Sequence, residues 1–478
     1  MTTTPGDSTE ADSAGDPPGD LAPPAETSEH SGQPQASSLS GERPSGVRWM
    51  VLALGSVVSF TLYLHRYTWG FLKADLGQEF GWDLVTLGWL DSAFSISYGA
   101  GQVPAGILGD WFGAHGLMTV AIIGWSLSLG ATALATTVVS MGACRLMFGV
   151  TQAGCYPNLS KITKNWFPVG FRTSAQAWMA TFAGRMGGAM STVLLGTVLM
   201  GWLELSWRAA IGVLTGFGLL VGLLFLLLFR NSPAAHPRSN QAEADLIIGS
   251  DPDARQASRS RVSWSKLLKH PTVLLLMARC FLSTFADQLF VSWVPMYLLL
   301  EKEVDVKSAG WMTAIPLAGG AMGGVFSGYA QSWILIRTGR PRLARSTLGF
   351  CGKFTAMFII YLSLQQNNPL MIVLLLGLTK FFADWGLPAS WGAVTDIGGR
   401  NPASVFASIN TVGSIGGAIA GPTIGWVIMS FSSGEQPDAA GWQALFVLIG
   451  VVYVTCASLW LLIDCTRTLE SATPEQSA

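Results

Sequence analysis

The chain has 478 residues, 50% of them hydrophobic and only 12% charged, against about 25% charged in an ordinary soluble domain. A formal net charge of −1 excludes the basic footprint of a nucleic-acid partner, and the 55 glycines and 19 tryptophans fit membrane helices and their interfaces. The six cysteines (144, 155, 280, 351, 456 and 465) lie in or beside apolar runs, with no metal or disulfide spacing, and read as apolar filler.

Residues 1–46 are rich in Pro, Gly, Ser and Ala, with acids scattered from Asp7 to Glu29 and no apolar core behind a basic start. They predict a disordered acidic tail rather than a signal peptide. Beyond it, a hydrocarbon core of ~30 Å takes about 20 apolar residues per helix. Runs of that length predict twelve spans. The first six cover 49–71, 86–108, 116–137, 139–163, 174–199 and 207–229. The second six cover 272–298, 308–332, 343–363, 370–395, 402–430 and 441–464. The fold class is therefore an all-α membrane protein: a six-helix half over 47–229, a polar cytoplasmic linker over 230–270, a second six-helix half over 271–466 and a short tail over 467–478.

Lys and Arg orient the spans. Lys161, Lys164 and Arg172, then Arg255, Arg259, Arg261, Lys266 and Lys269, then Arg337, Arg340, Arg342 and Arg345 fall in loops on one side. The other side offers Lys73, Lys302 and Lys307, each with acids nearby, and Arg208. Both termini are expected in the cytoplasm of a multi-pass protein of the cell's plasma or inner membrane, with lipid as its surroundings and a monomer as its state.

The first span carries YLHRYTWGF, Tyr63 to Phe71. An arginine at the centre of a spanning helix costs about 2.5–3.5 kcal/mol on insertion scales, which a bound anion would offset; snorkelling of Arg66 to the interface is the plainer alternative. Arg145, Gly149 and Gln152 stand at i, i+4 and i+7 on one helical face, the glycine leaving room for a close helix or a ligand. Guanidinium groups hold carboxylates by paired hydrogen bonds. Arg185, Arg279, Asp287, Lys353, Lys380 and Asp384 are further ionisable residues in predicted spans. Lys380 and Asp384, four apart, read as a structural pair. Asp287 reads either as a proton or sodium site or as a partner of Arg185 or Arg145. Arg185 would add a third positive group, which suits a doubly negative substrate.

GILGDWFGAHG, Gly106 to Gly116, resembles the loop signature of the major facilitator superfamily, G-x-x-x-D-R-x-G-R-R. Gly106, Asp110 and Gly113 match it, whereas Trp111, Ala114 and His115 replace its basic positions. The resemblance implies a gating loop in which Asp110 meets loop arginines, Arg172 here, and a substrate site between two halves. Within the superfamily the chain resembles the anion:cation symporters. The segments that carry this are YLHR (Tyr63 to Arg66), SAFSISYGAGQVPAGILGD, RLMFGVTQAGCYPNLSKITKNWFP, WVPMYL, PASWGAVTDI and SINTVGSIGG. That likeness implies that Arg66 and Arg145 contact an anionic substrate and that Ser390, Trp391 and Asn410 line its site. Tyr63 and Tyr156 would add hydroxyls, and Gln152 would bond a substrate hydroxyl.

Two acids on which proton-coupled members rely are His65 and Gln152 here. His65 and Asp287 are therefore the coupling candidates, although a packed, neutral His65 fits the residues equally. The expected activity is alternating-access transport of a small organic anion, a sugar acid such as a hexuronate or aldonate, coupled to a proton or sodium ion. An organophosphate:phosphate antiporter, suggested by Gln152 to Pro157, and a transporter-like sensor are the alternatives. No cofactor, metal site or catalytic group is expected, and the chain is not expected to be an enzyme.

Overall fold

α1 runs over Val47–Phe80, nine residues past the predicted end of the first span, and stops at Gly81, whose φ of 67° is left-handed. Lys73 does not end the helix because it is not in a loop. It lies inside the bundle, wholly buried against Asp91, which corrects its placement among the outer-loop charges. Glu79 is likewise matched, accepting hydrogen bonds from the Trp207 indole and the Arg208 guanidinium. In this computed structural model, residues 42–248, 269–398, 402–434 and 436–464 are described, and the helices below belong to the compact unit that begins at Arg43. Residues 1–41 of the expected tail, 249–268 of the linker and the tail over 467–478 lie outside the described residues.

α2 covers Leu84–Thr132, capped by the Asp83 side chain and kinked at Gly113, where φ is 77° and ψ 160°. Only glycine takes that conformation without strain, and Asn231 fills the space beside it. α3 (Val138–Ala153) opens on a Thr137–Ser140 capping box and hands over at Gly154 to α4 (Cys155–Trp166). α5 (Val169–Gln176) and α6 (Gly184–Thr192) alternate with π-helical turns over Ala177–Ala183 and Val193–Trp202. α7 is Trp207–Leu228 and α8, in the linker, is Gln241–Ile248.

The second part of the chain gives α9 (Pro271–Gln288), a π-helical turn over Leu289–Trp293 and α10 (Val294–Leu300). It continues with α11 (Val306–Thr338), α12 (Pro341–Ser363), α13 (Pro369–Ala383), α14 (Gly386–Gly398), α15 (Pro402–Phe431) and α16 (Ala439–Leu462). Prolines at the first turns of α9, α12 and α13 occupy positions whose N–H has no helical partner.

Among the described residues, nine helices are long and apolar enough to cross a membrane. The predicted spans at 86–108, 139–163 and 308–332 are helical too, but glycine and polar residues dilute α2 and α11, and Gly154 divides the third. α2 packs on α3 and α15, α9 on α15, α11 on α13, and α12 on α16.

The start of α1 is finished from far away in the chain. Gly46 offers no capping side chain, and the buried Glu243 of α8 accepts from the backbone N–H of Gly46 (2.9 Å) and Arg48 (3.2 Å) instead. Asn240 accepts from Ser45 N–H and donates to the Arg43 carbonyl. Residues 43–46, expected to belong to the disordered tail, are thus tied to the linker.

Candidate functional site

Arg66 stands in an aromatic box that three helices build. Its guanidinium lies over the rings of Tyr98 (4.4 Å), Tyr63 (5.1 Å) and Phe94 (5.1 Å), and its Nε donates to Gln152 Oε1 at 3.0 Å. Gln152 is fixed in turn, donating through Nε2 to the Leu62 carbonyl. Arg66 Nη2 is buried with no protein partner. Ring faces carry negative potential, so the box stabilises the cation without neutralising it. Tyr156 closes one side, with its hydroxyl 3.2 Å from Ser59 Oγ and its ring 6.2 Å from that of Tyr63.

Arg145 faces the same Phe94 ring at 4.9 Å and stacks on Trp69 at 4.4 Å. Gly149 lets α3 approach α2 here, since a Cβ would run into Ser97 and the Phe94 carbonyl. Arg145 is largely committed: Nε donates to the Leu90 carbonyl, and Nη2 lies 4.0 Å from Asp91 Oδ1. Asp91 also accepts from Lys73 Nζ at 2.6 Å and from Ser292 Oγ at 2.9 Å. Lys73, whose Nζ sits 3.7 Å over Trp293, thus joins a buried network that reaches from α1 and α2 into the second part of the chain. Sequence reasoning missed Asp91, Lys73 and Ser292. The available signal was an acid inside the predicted span 86–108, because an ionisable residue in a span implies a partner.

A second charge cluster includes Arg185, from between the π-helical turns, and Asp287, just before the third. Lys380 donates to Asp287 Oδ1 at 2.8 Å and to Asp384 Oδ1 at 2.7 Å, the latter being the predicted i,i+4 pair. Arg185 Nη1 donates to Asp384 Oδ2 at 3.0 Å. The partner of Asp287 is therefore Lys380, not Arg185 or Arg145. Asp287 and Arg185 are the accessible members, with side chains 37% and 27% exposed against 7% for Asp384 and 8% for Lys380. The cluster adjoins the Arg66 box. Tyr67 packs on Tyr63 at 5.7 Å and lies within electrostatic reach of Lys380, Arg185 and Asp287, and Gly184 faces Tyr63 and the Tyr156 hydroxyl. Lys353, on α12, donates to Ser283 Oγ and lies within electrostatic reach of Asp287, Lys380 and Asp384.

Other predicted residues lie elsewhere. His65 points away from the box toward α7: Nε2 donates to the Leu214 carbonyl at 3.0 Å, and Nδ1 is buried without a partner. The Ser390 hydroxyl donates to Gly386 of its own helix, while Asn410 donates to Gln102 Oε1 on α2 at 3.1 Å. The segment expected to be the gating loop is helical and continuous with α2 up to Gly113, which makes the kink, and a Cβ at Gly106 would lie 4.0 Å from Pro157. Arg172 donates to the carbonyls of Phe167 and Lys164. His115, at one of the signature's basic positions, donates its N–H to Asn231 Oδ1 and bonds through Nε2 to the Leu226 carbonyl. The side chains of Asp110 and Trp391 are not among those described.

The chain matches the family profile of the Major Facilitator Superfamily over residues 52–421. It is 26% identical to a protein of Cupriavidus necator named a probable sulfoacetate transporter, over 90% of this chain and 96% of that one. It is 28% identical to an Escherichia coli K12 protein named a probable galactarate/D-glucarate transporter, over 86% and 96% of the two chains. A D-galactonate transporter of Escherichia coli O6:H1 is 25% identical over 82% of this chain and 92% of its own. Among solved structures, a bacterial homologue of the human lysosomal transporter Spinster aligns with a TM-score of 0.73 at 18% identity, covering 91% of this chain and all of that one.

Proposed function

The chain belongs to the Major Facilitator Superfamily, and from that premise we propose that it carries a small organic anion, a sugar acid such as a hexuronate or aldonate, across the cell membrane by alternating access. It is a multi-pass membrane transporter and not an enzyme. The single observation that carries the anion reading is Arg66: a guanidinium held by Gln152, surrounded by aromatic faces, with a buried Nη2 that has no protein partner. A buried charge-assisted donor left unpaired is costly, and a substrate carboxylate supplies the acceptor. Relatives named for sulfoacetate, galactarate, D-glucarate and D-galactonate agree in kind, since each of those ligands is a small acid anion.

In this reading twelve spans form two six-helix halves, 47–229 and 271–466, joined by the linker over 230–270, with both termini cytoplasmic in the plasma membrane. Support for rocking comes from contacts between the two parts at the end of the bundle where α1 finishes. Ser292 donates to Asp91, Thr197 donates to the Lys307 carbonyl, and Gly70 lies against the Val291 carbonyl. Arg145, over the same Phe94 ring, adds positive potential, Tyr63 and Tyr156 wall the Arg66 box, and Asn410, Ser390 and Trp391 are carried over from the family resemblance as further contacts. Coupling to a proton or sodium ion falls to Asp287, the accessible carboxylate of the second cluster.

Uptake of radiolabelled galactonate into proteoliposomes tests this. The wild-type chain accumulates it and Arg66→Ala does not; equal uptake by the two excludes Arg66 as the anion site. Accumulation that ignores both imposed proton and sodium gradients excludes symport.

A further inference from the structure

Asp287 and Asp384 share Lys380, yet they are not equivalent. Asp384 is buried and held by both Lys380 and Arg185, so its removal would strip Arg185 of its ion-pair partner and leave Lys380 with Asp287 alone. Asp287 is 37% exposed and has Lys380 as its ion-pair partner, at 2.8 Å. The pair also crosses between helices, Asp287 on α9 and Lys380 on α13, so a modest movement of either separates it. The hydrogen-bonded cluster holds two cations and two carboxylates, with the buried Lys353 of α12 within electrostatic reach of it. An incoming anion can replace a carboxylate already there.

We infer that Asp287 is a placeholder for the second negative group of a doubly charged substrate: a dianion whose first carboxylate is held by Arg66 puts its second on Lys380, and Asp287 swings to water. This rests on the anion-transport reading above and specifies its substrate class. The exchange keeps one carboxylate on each side of Lys380, so the buried cations stay neutralised while substrate is bound. Tyr63 touches Arg66 and packs on Tyr67, which is within electrostatic reach of Lys380, so in this proposal the two rings flank a polyhydroxylated chain carrying an acid at each terminus. A monoanion of the same length leaves Asp287 on Lys380 and gains nothing there. Discrimination between the two then depends on how firmly Asp287 holds its place.

Galactarate and galactonate, which differ at one terminus by a carboxylate against a hydroxymethyl group, are the matched probes. Their dissociation constants are measured by calorimetry on the purified full chain in detergent. Asp287→Asn removes the competing charge and raises the preference for galactarate over galactonate by about tenfold, the scale of one partly screened ion pair. Asp287→Glu, which still reaches Lys380, keeps the wild-type preference. If Asp287→Asn does not fold, Asp287→Ser takes its place with the same expectation. An unchanged or lowered preference in the neutral variant, or an equal rise in Asp287→Glu, overturns the placeholder role while leaving anion binding intact. Failure of the wild-type chain to bind either acid overturns the transport reading, and this inference with it.

Discussion

The Ser292 hydroxyl donates to Asp91 at 2.9 Å, and the same carboxylate takes Lys73 Nζ at 2.6 Å. One buried acid on α2 thus joins a lysine of α1 to a serine of the π-helical turn over Leu289–Trp293. Asp91→Asn leaves Lys73 buried with no counter-ion and is expected to cost about 3–5 kcal/mol, the scale for breaking one partner of a buried pair. A fall in melting temperature in detergent checks it. Replacing both, Lys73→Met with Asp91→Leu, recovers part of the loss, because Arg145, 4.0 Å from Asp91, still loses its carboxylate.

Ser292→Ala has a different signature, because it removes one contact between the two parts and leaves the Lys73–Asp91 pair in place. A loss of roughly 1 kcal/mol, that of one hydrogen bond, makes opening at that end several-fold easier without unfolding the chain. Hydrogen exchange reads this directly: protection falls in the segments around 70–76 and 289–296 and is unchanged in α12. Uniform loss of protection would point to global destabilisation instead.

Arg66→Lys keeps the charge but loses the planar fork that Gln152 orients. A galactonate dissociation constant raised by tenfold or more is expected, since about 1.5–3 kcal/mol attaches to a charge-assisted hydrogen bond. Gln152→Ala weakens binding through loss of Arg66 orientation, and a smaller effect than Arg66→Lys identifies it as a positioning residue. These two outcomes are measured in the same titration.

Glu243→Ala strips the start of α1 of its carboxylate. The loss is about 2 kcal/mol by the scale for a carboxylate at a partly buried helix N-terminus, with Glu243→Gln intermediate. Limited proteolysis near residues 43–48 becomes faster if the contact is what anchors that segment.

Asp438, in the loop before α16, supplies a pH dependence. Backbone N–H groups of Ser433, Gly441 and Ala440 bond its carboxylate and hold it down to about 2, from an ordinary 3.8. A depressed carboxyl contributes stability that is complete above 3.8 and lost as pH falls toward 2. Melting temperature against pH therefore drops less steeply through that window for Asp438→Asn than for wild type. Parallel curves would exclude this group as a contributor.

Local periodicity made much of this legible. Apolar runs marked where helices form, and the mismatch at YLHR marked Arg66, because a charge inside an apolar run is visible without any partner. The i,i+4 rule found Lys380 with Asp384 for the same reason: their meeting follows from one helix. Gly113 was visible through a motif, and its left-handed φ supplies the physical cause.

Other pairs were not readable, because their partners are joined only by packing. Lys73 looked like an outer-loop charge until α1 continued to Phe80 and brought it against Asp91, 18 residues on. Asp287 had several candidate partners, and only the tertiary placement that brings the Lys380 side chain of α13 to α9 selected Lys380. Glu243 reaches Gly46 across 197 residues of sequence. What the sequence by itself determined is which segments are helical and which charges need compensation, since both follow from local chemistry. Which group compensates each charge was decided by tertiary structure alone, because an ion pair requires side chains within about 4 Å and chain spacing carries no such distance between separate helices.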